Sequence, residues 1–249
     1  MLGWIGTAVC IFGALILVAG VAFGFYVYAG TSEQTDNSQA YGRVLWRNHP
    51  ADKVFPKTLA ATSSYISTDG KASGPPGDPK RGQWQRLGIA PGVNCVAALG
   101  STTAQLAQRV GCKAAPRATY ADPSGNVVAT VALVVSTDDG ADKLGGFLEG
   151  LDSPRGDFKP GVHAYRVPGT LAAKWSDRQR NGMGGAQLTS MPYAVAVTTG
   201  AADGRLAGRL PAPWSERYDA GTDRQPWSAA AANLATGLSD HLEKSLGDT

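Results

Sequence analysis

The chain opens on an unbroken apolar stretch, Leu2 to Tyr28, with no charged residue in it. Inside a bilayer every backbone donor and acceptor has to be satisfied within the segment, so a run of this kind predicts a helix. About twenty residues span a hydrocarbon core of roughly 30 Å, so the run is long enough to cross. Trp4 lies near one end and Tyr26 and Tyr28 near the other, where aromatic side chains suit the two membrane interfaces. The pattern predicts a transmembrane anchor over 1–29. Gly30 to Gly42 is polar and lacks apolar periodicity, which reads as a tether. Residues 43–249 then form one folded domain, with a Gly/Pro-rich surface loop near 68–82.

Within the domain, Val44 and Trp46 alternate as if opening a strand that Pro50 stops. Val93 to Leu99 predicts a short helix. A second helix follows with Ser101 as N-cap, Leu106 and Val110 at i, i+4, and Gly111 as its closing glycine. Arg117–Ala121 and Asn126–Ser136 flank Asp122-Pro-Ser-Gly125, whose residues favour a tight turn, and so predict a hairpin. The second of these strands is apolar on both faces, which places it in the middle of a sheet covered above and below. Thr137 or Asp138 begins a helix to about Leu151, with Leu144, Phe147, Leu148 and Leu151 on one stripe. Val162–Val167, Gly185–Ser190 and Tyr193–Thr199 are further strand candidates, and Ala201 to Arg205 reads as a turn. Trp227–Leu246 closes the chain as an amphipathic helix with Ala231, Leu234, Leu238, Leu242 and Leu246 at helical spacing and Asp240, Glu243 and Lys244 outward. The order predicts an α+β fold: an N-terminal transmembrane helix, then one soluble domain, mostly antiparallel sheet covered by helices.

The net charge is +3 and no run of basic residues stands out, which argues against a nucleic-acid partner. Cys10 lies inside the apolar run, leaving Cys95 and Cys112 as the pair in the soluble part. An even pair suits an oxidising compartment, and closing a loop of this size stabilises a fold by about 3 kcal/mol. They bracket the second short helix, a stapling role. Arg43 and Arg47 favour a cytoplasmic domain by the positive-inside rule, whereas the cysteine pair favours an outside one. The balance predicts an N-in, C-out anchor. Gly20 and Gly24 match the small-xxx-small spacing that lets membrane helices pack, which allows a homodimer through the anchor.

Catalytic chemistry is not legible. No Gly-x-Ser-x-Gly, His-Glu-x-x-His or P-loop motif occurs, and His49, His163 and His241 stand apart without metal-like spacing. Asp138, Asp139, Asp142 and Glu149 fall near the positions of a calcium loop, but Lys143 occupies the place of the required glycine. They read as acidic residues opening a helix. Arg155-Gly-Asp157 reads as a turn triplet. No catalytic residue, metal or cofactor is assigned. Trp46, Trp84, Trp175 and Trp214, several beside Arg or Pro, are the candidate ligand surface.

His49-Pro-Ala-Asp-Lys-Val-Phe-Pro56, Arg86-Leu-Gly-Ile-Ala-Pro91 leading to Cys95, Arg117-Ala-Thr-Tyr-Ala-Asp122 and Ala202-Asp-Gly-Arg205 resemble segments of single-pass membrane proteins of actinomycetes of the Streptomyces type. The resemblance implies a cell-envelope location and brings no catalytic residue. Together these readings predict a membrane-anchored extracytoplasmic binding or scaffold protein whose partners are the cell membrane and another envelope protein. The alternatives are a sensor or assembly subunit acting through membrane-helix partners, and an envelope hydrolase with an unrecognised site.

Overall fold

The computed structural model describes residues 41–60, 83–150, 161–188, 191–207 and 220–247, with scattered positions between 20 and 40. The loop near 68–82, the Arg155–Asp157 triplet and Trp214 lie outside the described residues. Two compact units are present, Met1–Val44 with Thr249, and Leu45–Asp248. In the first, Gly20, Val21, Phe23 and Val27 have helical backbone, and so do the described positions of the expected tether, Glu33, Asp36, Asn37, Ala40, Tyr41 and Gly42. Most of the apolar run lies outside the described residues. Among those described, no helix is long and apolar enough to cross a membrane.

The second unit is α+β, built on one antiparallel sheet of six strands. The strands are β1 (Thr58–Ala60), β2 (Gln83–Ile89), β3 (Arg117–Ala121), β4 (Val127–Val135), β5 (Gly182–Gln187) and β6 (Tyr193–Ala201), in the order β1-β2-β3-β4-β6-β5. The helices are α1 (Leu45–Asn48), α2 (Ala51–Val54), α3 (Cys95–Ala98), α4 (Ser101–Arg109), α5 (Asp138–Gly150) and α6 (Ala220–Gly247).

The β3–β4 hairpin turns where expected. Asp122 caps the turn by accepting the Val127 N–H at 2.7 Å, and Gly125 takes φ +72°, a value that suits glycine. β4 is central, paired from Val127↔Ala201 to Val135↔Tyr193 with β6 and with β3 on its other side. Its alternate residues serve two cores, which is why it is apolar at every position but Thr130. On one face, α6 lays Ala231, Leu234, Leu238 and Leu242 against the sheet, all buried. Trp84 donates its indole N–H to Asn233 of this helix at 3.0 Å. On the other face, Ala132, Val134, Ala194 and Ala196 meet α4 and the Leu144 and Leu148 stripe of α5. Farther along that face, Val128 meets Trp175 and Ala172, which belong to the segment 161–181.

The glycines of β5 are dictated by this double cover. A methyl on Gly184 would lie 2.8 Å from the Ala232 nitrogen of α6, and one on Gly185 would lie 2.4 Å from Leu148 Cβ of α5. At these two positions even one added methyl has no room.

Several local expectations change. Val44 and Trp46 do not open a strand: Leu45–Asn48 is helical, with Leu45 buried and Trp46 only half-buried. Pro50 sits at the N-cap of α2, where its missing N–H costs nothing. Gly100, not Ser101, is the N-cap of α4, and its N–H goes to the Gly161 carbonyl. Gly111 closes that helix with φ +76°, as expected. β2 carries too few alternating apolar residues to announce itself, and its register shifts between Arg86 and Gly88. β5 begins three residues ahead of the candidate at Gly185–Ser190, and α6 begins before Trp227 and runs through Pro226. Val162–Val167 is not a sheet strand. Among the described residues only Val162 bridges, to Leu99, and the rest lies across a face of the sheet, held by side chains and by the backbone bonds from the His163 N–H to Ala98 and the Val167 N–H to Ala172.

Candidate functional site

The segment 161–181 is fastened to the sheet by a closed hydrogen-bond circuit. Thr130 Oγ1 on β4 lies 3.0 Å from the Tyr165 N–H, 2.8 Å from the Trp175 indole N–H and 3.1 Å from Thr119 Oγ1 on β3. Thr119 Oγ1 is in turn 2.6 Å from the Tyr165 carbonyl. Thr130 accepts from both N–H groups, and the Tyr165 carbonyl can only accept. The directions are therefore fixed: the Thr130 hydroxyl donates to Thr119, and the Thr119 hydroxyl donates to Tyr165. Two threonines on a buried sheet face are satisfied in this way without water.

Beside this circuit lies the cluster that sequence inspection does not single out. The Asp177 Oδ1 accepts the Ala164 N–H at 2.7 Å, and Oδ2 lies 2.6 Å from His163 Nδ1. Burial pushes the Asp177 carboxyl upward, but the Ala164 and His163 hydrogen bonds and the Arg180 charge outweigh it and hold it below the usual range. Ionised, the carboxylate only accepts, so His163 Nδ1 carries the hydrogen. Arg180 Nη1 donates to the Val162 carbonyl at 2.8 Å and approaches Asp177 Oδ1 at 3.4 Å. Arg117, the first residue of β3, donates through Nη1 to the His163 carbonyl at 3.1 Å. Its guanidinium carbon stands 6.0 Å from the centre of the Tyr165 ring, and its Nε is buried with no partner among the described residues. Burial lowers the pKa of both arginines, Asp177 offsetting part of it, and both remain cationic.

The sequence-derived candidates are placed as follows. Cys95 and Cys112 are bonded, with Sγ atoms 2.01 Å apart, tying α3 to the end of α4. Gly20 has helical backbone, and Gly24 lies outside the described residues. Trp84 and Trp175 are buried on opposite faces of the sheet with their N–H groups committed to Asn233 and Thr130. Trp46 is half-buried with the Arg47 guanidinium 5.3 Å from its ring. The described tryptophans therefore do not converge on one surface. His241 bonds the Lys53 carbonyl at 2.8 Å and links α6 to α2. Asp142 accepts from Gln187 of β5 instead of facing a cation. Among the described residues no group of three His, Cys, Asp or Glu could hold a metal ion.

His163 and Asp177 resemble half of a general-base pair, yet among the described residues no serine, threonine or cysteine hydroxyl or thiol is bonded to the imidazole. What the arrangement offers is two donors, a half-buried guanidinium and a phenol, beside the open edge of the His163 ring, whose Nε2 accepts in the neutral tautomer that carries its hydrogen on Nδ1. Asp177 lies fourteen residues from His163, so no short motif carries the pair. The legible signal is the alternation of apolar Val162 and Ala164 with polar His163 and Tyr165.

No protein-family model, curated protein or solved structure matches the chain.

Proposed function

We propose that this chain is a membrane-anchored binding protein of the cell envelope, its folded domain held outside the membrane by the apolar run Leu2–Tyr28. The observation that carries the reading is the Cys95–Cys112 bond in a domain that follows such a run. Disulfides of this structural kind persist in oxidising compartments and are rare in the cytosol. Val21, Phe23 and Val27 add to it: they lie on helical backbone with large exposed apolar side chains, as a lipid-facing helix has. The domain acts by binding, through the polar cluster on the segment 161–181, with the membrane and another envelope protein as its partners. Gly20 and Gly24 allow a homodimer through the anchor. The Streptomyces-type resemblance agrees with an envelope location.

Thiol labelling tests this reading. In intact cells, a membrane-impermeant maleimide is expected to label Cys95 and Cys112 only after reductant is added, and carbonate washing is expected to leave the chain in the membrane. A chain released by the wash, with both thiols reactive without reductant, would overturn it.

One observation favours a second reading, an envelope hydrolase. The His163–Asp177 bond is the orientation that a general base requires. That reading needs a nucleophile or an activated water on the open edge of His163. Loss of a measured hydrolytic activity in both His163→Gln and Asp177→Asn, with folding intact, would support it. An activity that survives both would exclude it.

A further inference from the structure

The backbone from Val162 to Tyr165 is extended, as its hydrogen bonds require. The N–H and C=O of His163 point to one edge, toward Ala98 and Arg117, and those of Tyr165 point to the same edge, toward Thr130 and Thr119. The Val162 carbonyl and the Ala164 N–H point to the other edge, toward Arg180 and Asp177. On extended backbone, side chains two apart leave by the same face, here about 7 Å from one another. Val162 and Ala164 go inward, Val162 fully buried and Ala164 packed beside Trp175. His163 and Tyr165 therefore go outward together, both half-exposed, with the Arg117 guanidinium over the Tyr165 ring.

This outward face carries an unbalanced charge. Both oxygens of Asp177 are engaged, by Ala164 and Arg180 on one and by His163 on the other. Among the described residues Arg117 has no carboxylate within ion-pair distance: Asp177 acts on it only from farther off, and its hydrogen bond goes to a backbone carbonyl. A half-buried cation normally has a counter-ion, because partial loss of water is costly for an unpaired charge.

We propose that Arg117, Tyr165 and His163 form a recognition site for an oxyanion, a carboxylate or phosphate group on the domain's ligand. The proposal rests on the binding reading given above. The Nη N–H groups of Arg117 that are not bonded to His163 lie in one plane and match two oxygens of such a group, the buried Nε taking no part. The Tyr165 hydroxyl, which has no partner among the described residues, donates to the same group. His163 is fixed by Asp177 through Nδ1, which leaves Nε2 as the ring's remaining polar atom for the ligand. Asp177 is a positioning residue: it orients the imidazole and does not touch the anion.

The test is isothermal titration calorimetry on the full chain in detergent micelles, with inorganic phosphate and acetate as separate probes and sodium chloride holding ionic strength constant. Saturable binding of at least one probe is expected, and the stronger of the two identifies the ligand chemistry. Arg117→Gln is expected to weaken it by about tenfold or more. Arg109→Gln, an exposed cation on α4, is expected to leave it unchanged. Should circular dichroism show Arg117→Gln unfolded, Arg117→Lys and Tyr165→Leu replace it, each expected to weaken binding severalfold. Absence of saturable binding by either probe, or equal weakening in Arg117→Gln and Arg109→Gln, overturns the site. Unchanged affinity in both replacement variants does the same. Failure here leaves the anchor and the disulfide standing, whereas a soluble chain with reduced thiols overturns the envelope reading and leaves this titration intact.

Discussion

Replacing Thr130 by valine keeps the shape of the side chain and removes one oxygen. That oxygen is the acceptor for the Trp175 indole N–H and the Tyr165 N–H, both in a region sealed from solvent by Trp175 itself, 4% exposed. Thr119 keeps its bond to the Tyr165 carbonyl, so the loss is two donors left without partners. Each stranded donor costs about 1–3 kcal/mol, so Thr130→Val is expected to destabilise the domain by about 2–6 kcal/mol. Against a usual total of about 5–15 kcal/mol this is a large fraction, equivalent to a fall in Tm on the order of 5–15 °C. Thr130→Ser retains the oxygen and loses one methyl, for about 1 kcal/mol. The assay is urea unfolding followed by far-ultraviolet circular dichroism, with the double variant Thr130→Val and Trp175→Phe included. Removing one stranded donor in that variant should make the combined loss smaller than the sum of the two single losses. A Thr130→Val protein within about 0.5 kcal/mol of the parent, or a Thr130→Ser protein equally damaged, would refute the hydrogen-bond directions argued above.

Three further outcomes are expected. Replacing Cys95 and Cys112 together by serine should lower stability by about 3 kcal/mol, the entropy of a loop with a sequence separation of 17, and dithiothreitol should have a matching effect on the parent alone in chemical denaturation. The Asp177 carboxyl is held below its unfolded value, so its contribution is complete above about pH 4 and is lost as pH falls through the folded value; Asp177→Asn should flatten that acid limb in a stability–pH profile. Burial pushes the Tyr193 hydroxyl up to about 12, against the lowering pull of the Trp46 and Leu45 backbone and the Arg47 charge. The neutral phenol is the form the fold favours, so stability is full below about pH 10 and is lost between there and about pH 12; Tyr193→Phe should make the alkaline limb shallower.

The elements legible in the sequence are those whose own residues decide their environment. β4 is apolar at nearly every position because both its faces are covered, and the Asp122–Gly125 turn is written in residues that favour it locally. The same holds for the leucine stripe of α6. β5 is the opposite case. Its glycines look like loop residues until Leu148 and Ala232 are seen pressing in from the two sides, contacts made by residues far away in the chain. The segment Val162–Val167 has the alternation of a strand and its first four residues are extended, but most of its hydrogen bonds end on the Thr119, Thr130, Arg117, Arg180 and Asp177 side chains, with the His163 N–H on the Ala98 carbonyl and the Val167 N–H on the Ala172 carbonyl, instead of on a strand of the sheet. A pattern of period two records extended backbone with one side inward and does not say what pairs with it. The disulfide followed from counting cysteines. The Arg117, His163, Tyr165 and Asp177 cluster did not, because three separate stretches of chain supply it and none has a distinctive spacing. Tryptophans drew attention as large amphipathic side chains, and two of the four proved to be core residues with internal hydrogen-bond partners.

The strand order has a consequence for synthesis. β6 is the last strand among the described residues and sits between β4 and β5, so the centre of the sheet is completed only when residues 193–201 arrive. A chain interrupted before Tyr193 would leave Val127–Val135 with its whole ladder open along one side, nine residues of near-continuous valine, leucine and alanine. Such an edge invites pairing with another copy. Nonsense and frameshift products ending upstream of that point should therefore accumulate as insoluble material instead of as shortened folded domains.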